Sequence, residues 1–206
     1  HLLDRLLVGS LALLLREWGI FPVHGFSAAW NGRAALLVGA PGCGKTTAGL
    51  ALIRRRWGFL ANDLSLLSES EQGVDVLSCP ERIHATVETS LFFPELQSLV
   101  DDQEGKFGFH VEDVYENTLI DRATVRWLLF PHIGQAETTR LSPLSAAEAL
   151  IELLPHSLVT WDQSVASTQF SLLERLVRST PAYQLELGQD VGEWHSLLKD
   201  SPAGST

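Results

Sequence analysis

The sequence predicts an α/β domain, and three observations predict it. Short apolar runs of strand length alternate along the chain with segments whose apolar positions recur at helical spacing. No unit of about 20 to 50 residues repeats and no low-complexity tract intervenes, which sets solenoids aside. At 206 residues and 45% hydrophobic content, the chain is long enough to bury one sizeable core.

In order along the chain, residues 2 to 18 read as a mostly apolar helix closed by Gly19, and Pro22 with Gly25 mark a turn. LLVGSLALLL, residues 6 to 15, has the look of the apolar part of a signal peptide. It is short for a bilayer span and runs into Arg16 and Glu17, so a buried helix is expected and no membrane partner. The chain opens at His1 and contains no methionine, so its natural start is expected upstream. AALLVG, residues 34 to 39, is a continuous apolar run of the kind a strand buried on both faces shows. From Thr46, the spacing of Leu50, Ile53 and Trp57 predicts a helix, with Arg54, Arg55 and Arg56 in its last turn, where cations suit the helix dipole, and Gly58 as its stop.

FLAND (59 to 63), LSLLS (64 to 68) and VDVLS (74 to 78) read as strands, the last two joined through Gly73. Residues 88 to 100 predict a short helix containing Pro94, and DDQEGKFG, 101 to 108, has the composition of a mobile loop. ATVRWLLF, 123 to 130, is a further strand ending at Pro131. LSPLSAAEALIELL predicts a helix starting around Ser142 and Pro143. A helix at 164 to 178, a strand at YQLEL, a terminal helix at 191 to 199 and a tail at 201 to 206 complete the pattern.

The formal net charge is −10, and the arginine run is the only dense basic stretch, so a nucleic-acid backbone would meet a repulsive surface. Cys43 and Cys79 are too few for a disulfide framework and lack the paired spacing of a zinc site, which fits a reducing, cytoplasmic setting.

One stretch carries specific chemistry. GAPGCGKT, comprising Gly39, Ala40, Pro41, Gly42, Cys43, Gly44, Lys45 and Thr46, satisfies G-x-x-x-x-G-K-[ST] between a predicted strand and a predicted helix. Its glycines let backbone N–H groups turn inward on phosphates, the helix N-terminus adds positive partial charge, and Lys45 places a full cation beside the β and γ phosphates. Thr46 offers a hydroxyl to Mg²⁺, and Thr47 is placed for a neighbouring phosphate; ATP and Mg²⁺ are the expected cofactors. Cys43 reads as a tolerated loop side chain. The chain contains neither an N-K-x-D guanine motif nor an L-S-G-G-Q stretch, which removes GTPases and transport ATPases and leaves a small-molecule kinase open.

VHG at 23 to 25, NGRAALLVGAPGCGKTT at 31 to 47, FLANDLSLL at 59 to 67 and TRLSPLSAAEALIELLP at 139 to 155 together resemble the HPr kinase/phosphorylase family. The resemblance is closer to its short relatives, the HPr-kinase-related kinases of peptide-tailoring (lasso peptide) gene clusters. It implies one P-loop kinase domain of the HPr kinase/phosphoenolpyruvate carboxykinase type over residues 1 to 200, with its core from 22 to 187 and a mixed sheet with flanking helices. It also implies ATP-dependent transfer of the γ-phosphoryl group to a serine hydroxyl of a peptide or small protein, a ribosomal precursor peptide in particular. Full-length members are hexamers; a homo-oligomer stays open here, since no feature of the sequence reports an interface.

His24 matches the family's histidine near the transferred phosphate. The family's pair of adjacent aspartates, the first of them the general base, falls on Asn62 and Asp63. An amide cannot take the acceptor proton at neutral pH, whereas Asp63, with Thr46, keeps the implied metal role. Three readings follow: Asp63 or His24 replaces the base, transfer proceeds with little base catalysis, or the chain is a nucleotide-binding module without efficient transfer. Glu112 and Asp113 read as an exposed loop pair. Arg122, Arg126, Arg140 and Lys106 are candidates for neutralising phosphate that any surface cation would match. Trp30, Trp57, Trp127, Trp161 and Trp194 read as core or interface.

Overall fold

The computed structural model of the chain describes residues 14–100, 105–157 and 163–199. Most of the expected N-terminal helix, Trp161, and the tail at 201 to 206 lie outside the described residues. What is described of that helix ends in a 3₁₀ turn, Arg16–Trp18, closed by Gly19 in the left-handed region as the sequence leads one to expect.

Eight strands form one mixed sheet: β1 (Ile20–Trp30), β2 (Arg33–Val38), β3 (Gly58–Ala61), β4 (Leu64–Ser70), β5 (Gly73–Leu77), β8 (Arg122–Ile133), β9 (Arg140–Leu144) and β10 (Ala182–Leu187). Their order is β2-β1-β4-β5-β8-β10-β9, with β3 also on β1. β8 pairs with β2 as well as with β5, so β2, β1, β4, β5 and β8 close into a circuit. A separate ribbon pairs β6 (Ile83–Thr86) with β7 (Lys106–Phe109). The helices are α1 (Lys45–Arg54), α2 (Val87–Ser90), α3 (Ala146–Leu153), α4 (Gln163–Ser179) and α5 (Ser196–Lys199). None of the described helices is long and apolar enough to cross a membrane.

β2 is buried on both faces, as its unbroken apolar run predicts. Ala35 and Leu37 face a core with Leu50, Ile53 and Trp57 around α1, whereas Ala34, Leu36 and Val38 face a second core with Leu172, Leu173 and Leu176 of α4. Trp194 is 1% exposed and donates its indole N–H to the carbonyl of Ala48 at 3.0 Å, tying the C-terminal segment to α1.

Proline and glycine punctuation misleads at several points. Pro22 and Gly25 mark no turn; both lie inside β1. Pro131 does not end β8, which runs on to Ile133, and Pro143 sits in β9 rather than opening a helix. Each of these prolines occupies a stretch with one strand neighbour: residues 20–24 pair only with β4, residues 130–133 only with β10, and β9 is an edge. A strand with one open side tolerates proline there, since a nitrogen facing that side owes the ladder no bond. The helix expected from Ser142 starts instead after Ser145, whose hydroxyl accepts from the Glu148 N–H while the Glu148 carboxylate accepts from the Ser145 N–H, a reciprocal capping box. The segment 88 to 100 divides at Pro94 into α2 and a 3₁₀ turn, Pro94–Leu99, with proline in its first position. Residues 106–108 of the expected loop join Phe109 in β7, because Phe107 and Phe109 alternate inward and stack at 6.0 Å. The expected terminal helix shrinks to the four residues of α5.

Candidate active site

β2, β8 and β10 run parallel, and their carboxyl ends meet at one place. That is where ligands sit in sheets of this kind. Gly39 to Gly44 follow β2 there and lead into α1. Gly44, the N-cap, has φ 102°, and a Cβ on it would lie 2.5 Å from Leu187 Cδ1 of β10, so both backbone and packing require glycine. Gly42, at φ 82°, has open space around it but the same backbone requirement.

Lys45 is 7% exposed, and its Nζ donates to the carbonyl oxygens of Gly39 at 2.7 Å and Ala40 at 3.0 Å, which centres the ammonium on the loop. Burial pushes Lys45 below the ordinary lysine value, while Cys43 and Asp63 pull the other way. Thr46 Oγ1 lies 3.5 Å from Asn62 Oδ1, long for a hydrogen bond but close enough for both to face one ion. Thr47 pairs its hydroxyl with that of Thr89 at 3.0 Å, linking α1 to α2.

FLANDL, residues 59 to 64, sets Asn62 and Asp63 inside an otherwise apolar run, and the strand expected over 59 to 63 ends at Ala61. Ala61 stands opposite Ser27 and Leu64 opposite His24, so β3 and β4 are one partner of β1 in a register that continues across Asn62 and Asp63. The two residues bend out of the ladder between them. Asn62 turns inward and is 1% exposed; Asp63 faces outward into the cleft. Four hydrogen bonds fix the bend. The Asp63 carbonyl accepts from the Gly25 N–H at 3.2 Å and takes the ring Nδ1 of His24 at 3.0 Å, and one carboxylate oxygen of Glu81 accepts from the N–H groups of Asp63 (2.7 Å) and Leu64 (2.9 Å). Glu81 is held in place because Cys79 bonds back to Leu60.

His24 reaches the loop because Gly25 pairs with Val38, which sets it beside Gly39. A carbonyl can only accept, so its contact with Nδ1 makes that nitrogen the protonated one. In the neutral ring, Nε2 is then the proton acceptor. His156, at the end of the 3₁₀ turn Leu154–His156, places its ring centroid 6.4 Å from that of His24. Burial first, then the charges of Lys45 and His24, push His156 below the ordinary histidine value, with Glu152 opposing.

A cleft of about 600 Å³ connects these groups, bordered by His24, the loop, Thr46, Thr47 and Asp63. One wall is apolar and comes from Ile133 and Leu187 at the ends of the parallel strands and from Val191 beyond β10. The other is polar and comes from β6, β7 and α2: His84, Thr86, Glu88, Thr89 and Lys106. Lys106, the cation of the expected loop, therefore borders the site. Glu112, Asp113, Arg122, Arg126 and Arg140 do not; Glu112 and Asp113 are exposed on the 3₁₀ turn Val111–Asp113. Trp57 and Trp127 pack at 5.6 Å, and with Trp30, Arg33 and Arg55 they border a second cavity, about 670 Å³, which no residue of the loop touches. Glu81 and His156 carry no motif, and the contacts that matter join them to residues 18 and more than 100 positions away in the chain.

Among the described residues, no three His, Cys, Asp or Glu side chains gather to hold a metal alone. The Thr46 hydroxyl, the Asn62 amide oxygen and the Asp63 carboxylate form an oxygen-only set that fits Mg²⁺ arriving with a nucleotide, since that ion favours one or two carboxylates completed by phosphates and water.

No protein-family model matches the chain, and no curated protein matches it. Among solved structures, it is similar to the Hpr(Ser) kinase/phosphatase from Coxiella burnetii at 12% identity and a TM-score of 0.44, with 87% of this chain and 99% of that chain covered.

Proposed function

We propose that the chain is an ATP- and Mg²⁺-dependent kinase that transfers the γ-phosphoryl group to a serine hydroxyl of a peptide or small protein. The observation that carries the proposal is the convergence on one cleft of the loop with Lys45, Thr46, Asp63 and the oriented imidazole of His24, with Asn62 behind Thr46. Loop amides and Lys45 bind and orient the phosphates, and Mg²⁺ held by Thr46 and Asp63 would neutralise charge on them. The acceptor hydroxyl loses its proton to His24 Nε2, so the imidazole stands in for the carboxylate that Asn62 lacks. Positioning and charge account for most of the rate in phosphoryl transfer, which makes this substitution workable. A ribosomal precursor peptide as acceptor rests on the motif resemblance alone. A cytoplasmic setting fits the two free thiols, Cys43 and Cys79.

A second reading, a nucleotide-binding module without transfer, is favoured by Asn62 itself, a buried amide where a base is needed. Incubation with Mg-ATP and serine peptides, read by mass spectrometry, separates the two. The kinase reading expects a phosphoryl mass gain that Lys45→Ala abolishes and His24→Gln strongly reduces. If wild type transfers to nothing while Asn62→Asp does, the module reading replaces it.

A further inference from the structure

We infer that His156 takes up a proton when a nucleoside triphosphate occupies the loop, so that the bound anion is met by an imidazolium as well as by Lys45. The inference rests on the reading of the loop as a nucleoside triphosphate site.

The geometry comes first. His156 closes the turn after α3, which packs against β1, and its ring lies 6.4 Å from that of His24, a residue that borders the cleft. The His24 ring cannot turn away without giving up its bond to the Asp63 carbonyl. The groups facing His156 come from three elements: Lys45 from α1, His24 from β1, and Glu152 from the preceding turn of its own segment, α3. The ring is half-buried, and Lys45 and His24 add to the effect of burial, so before nucleotide binds the neutral imidazole is favoured.

A triphosphate reverses that balance. It brings several negative charges to Lys45, the group whose positive field opposes protonation of His156. Ion pairing of the ammonium with phosphate removes the repulsion, and the remaining phosphate charge attracts a proton to the ring. The proton comes from solvent, no bond other than N–H forms, and the imidazolium then offsets charge on the phosphoryl group. By linkage, a group whose pKa is higher in the complex than in the free protein makes binding tighter at low pH. Affinity for nucleotide therefore falls as pH rises through the interval between the two values.

The test is calorimetric titration of the chain with Mg-ATP, in excess magnesium and near neutral pH, in several buffers of different ionisation enthalpy. The slope of observed heat against buffer enthalpy counts protons. We expect an uptake of roughly half to one proton per nucleotide in wild type. His156→Gln should still bind nucleotide, more weakly, with the uptake gone, whereas His24→Gln should retain it. Binding without uptake, or uptake that persists in His156→Gln and vanishes in His24→Gln, overturns the inference and leaves the nucleotide site standing. Absence of any binding heat, confirmed by a fluorescent nucleotide, overturns the site and the inference together. If His156→Gln does not fold, the ring ¹⁵N shifts of His156 in wild type decide. A change from neutral to imidazolium on adding Mg-ATP supports the inference, and unchanged shifts overturn it.

Discussion

Removing the Glu81 carboxylate is expected to loosen the candidate site before it touches any reacting group. One oxygen of Glu81 accepts from the N–H groups of Asp63 and Leu64, at 2.7 and 2.9 Å, and these bonds pin the bend that turns Asp63 outward. A hydrogen bond to a charged group contributes about 1.5–3 kcal/mol. Asp63 is exposed and Glu81 only half-buried, so water replaces part of each bond when the side chain is truncated. For Glu81→Ala, the sum should therefore lie nearer the worth of one such bond than of two, about 1–3 kcal/mol. In a domain of this size, about 2–4 °C accompany each kcal/mol. Glu81→Gln keeps a neutral acceptor and should lose about half as much. Urea unfolding gives the stability; Mg²⁺ dependence of ATP binding gives the effect on Asp63. Both variants should need more Mg²⁺ for half-maximal binding, alanine more than glutamine. If Glu81→Ala unfolds at the wild-type urea midpoint with an unchanged Mg²⁺ dependence, the clamp does not hold the bend and the reasoning fails.

Other consequences can be measured separately. Gly49→Ala would place a Cβ 2.3 Å from the ring of Phe26, which is itself buried and packed on Phe59 at 5.7 Å; despite the better helix propensity of alanine, a net loss of about 1–3 kcal/mol is expected in chemical unfolding. Burial, then the Glu95 carboxylate that accepts its hydroxyl hydrogen at 2.8 Å, raise Tyr115 far above its ordinary value of 10.0. A raised folded value contributes stability that is present below pH 10 and is lost as pH climbs beyond it. Wild-type stability should thus decline more steeply above that pH than that of Tyr115→Phe, in urea titrations run across the alkaline range. Chelating Mg²⁺ should stop phosphoryl transfer and weaken nucleotide binding without changing the far-ultraviolet circular dichroism, because the proposed donors Thr46 and Asp63 are half-buried and exposed, respectively.

Much of the site could be read from the chain because its chemistry is local. The loop, its preceding strand and its helix are contiguous, and glycine, lysine and hydroxyl have fixed jobs at fixed spacing. FLAND reads as one strand, and the bend at Asn62 and Asp63 is not legible there, since its cause lies in Glu81 on another segment and in the pairing of Gly25 with Val38. His156 carries no sequence signal, because LPH has no period of its own; only the fold sets it beside His24. The strand prolines misled for a related reason. Pro22, Pro131 and Pro143 lie where their strands have one neighbour and an open side that tolerates proline, and the number of neighbours a strand has is a property of the sheet. β7 was hidden because an acidic, glycine-containing run outweighed the two-residue alternation of Phe107 and Phe109.

The central claim is that GAPGCGKT and Lys45 hold a triphosphate in this cleft. Equilibrium binding of Mg-ATP to wild type and to Lys45→Ala, with unfolding curves to confirm that both fold, tests it most directly. Loss of a charge-assisted contact should weaken binding about 10- to 150-fold in the variant. Equal affinity for the two proteins, or no affinity in wild type, would contradict the account.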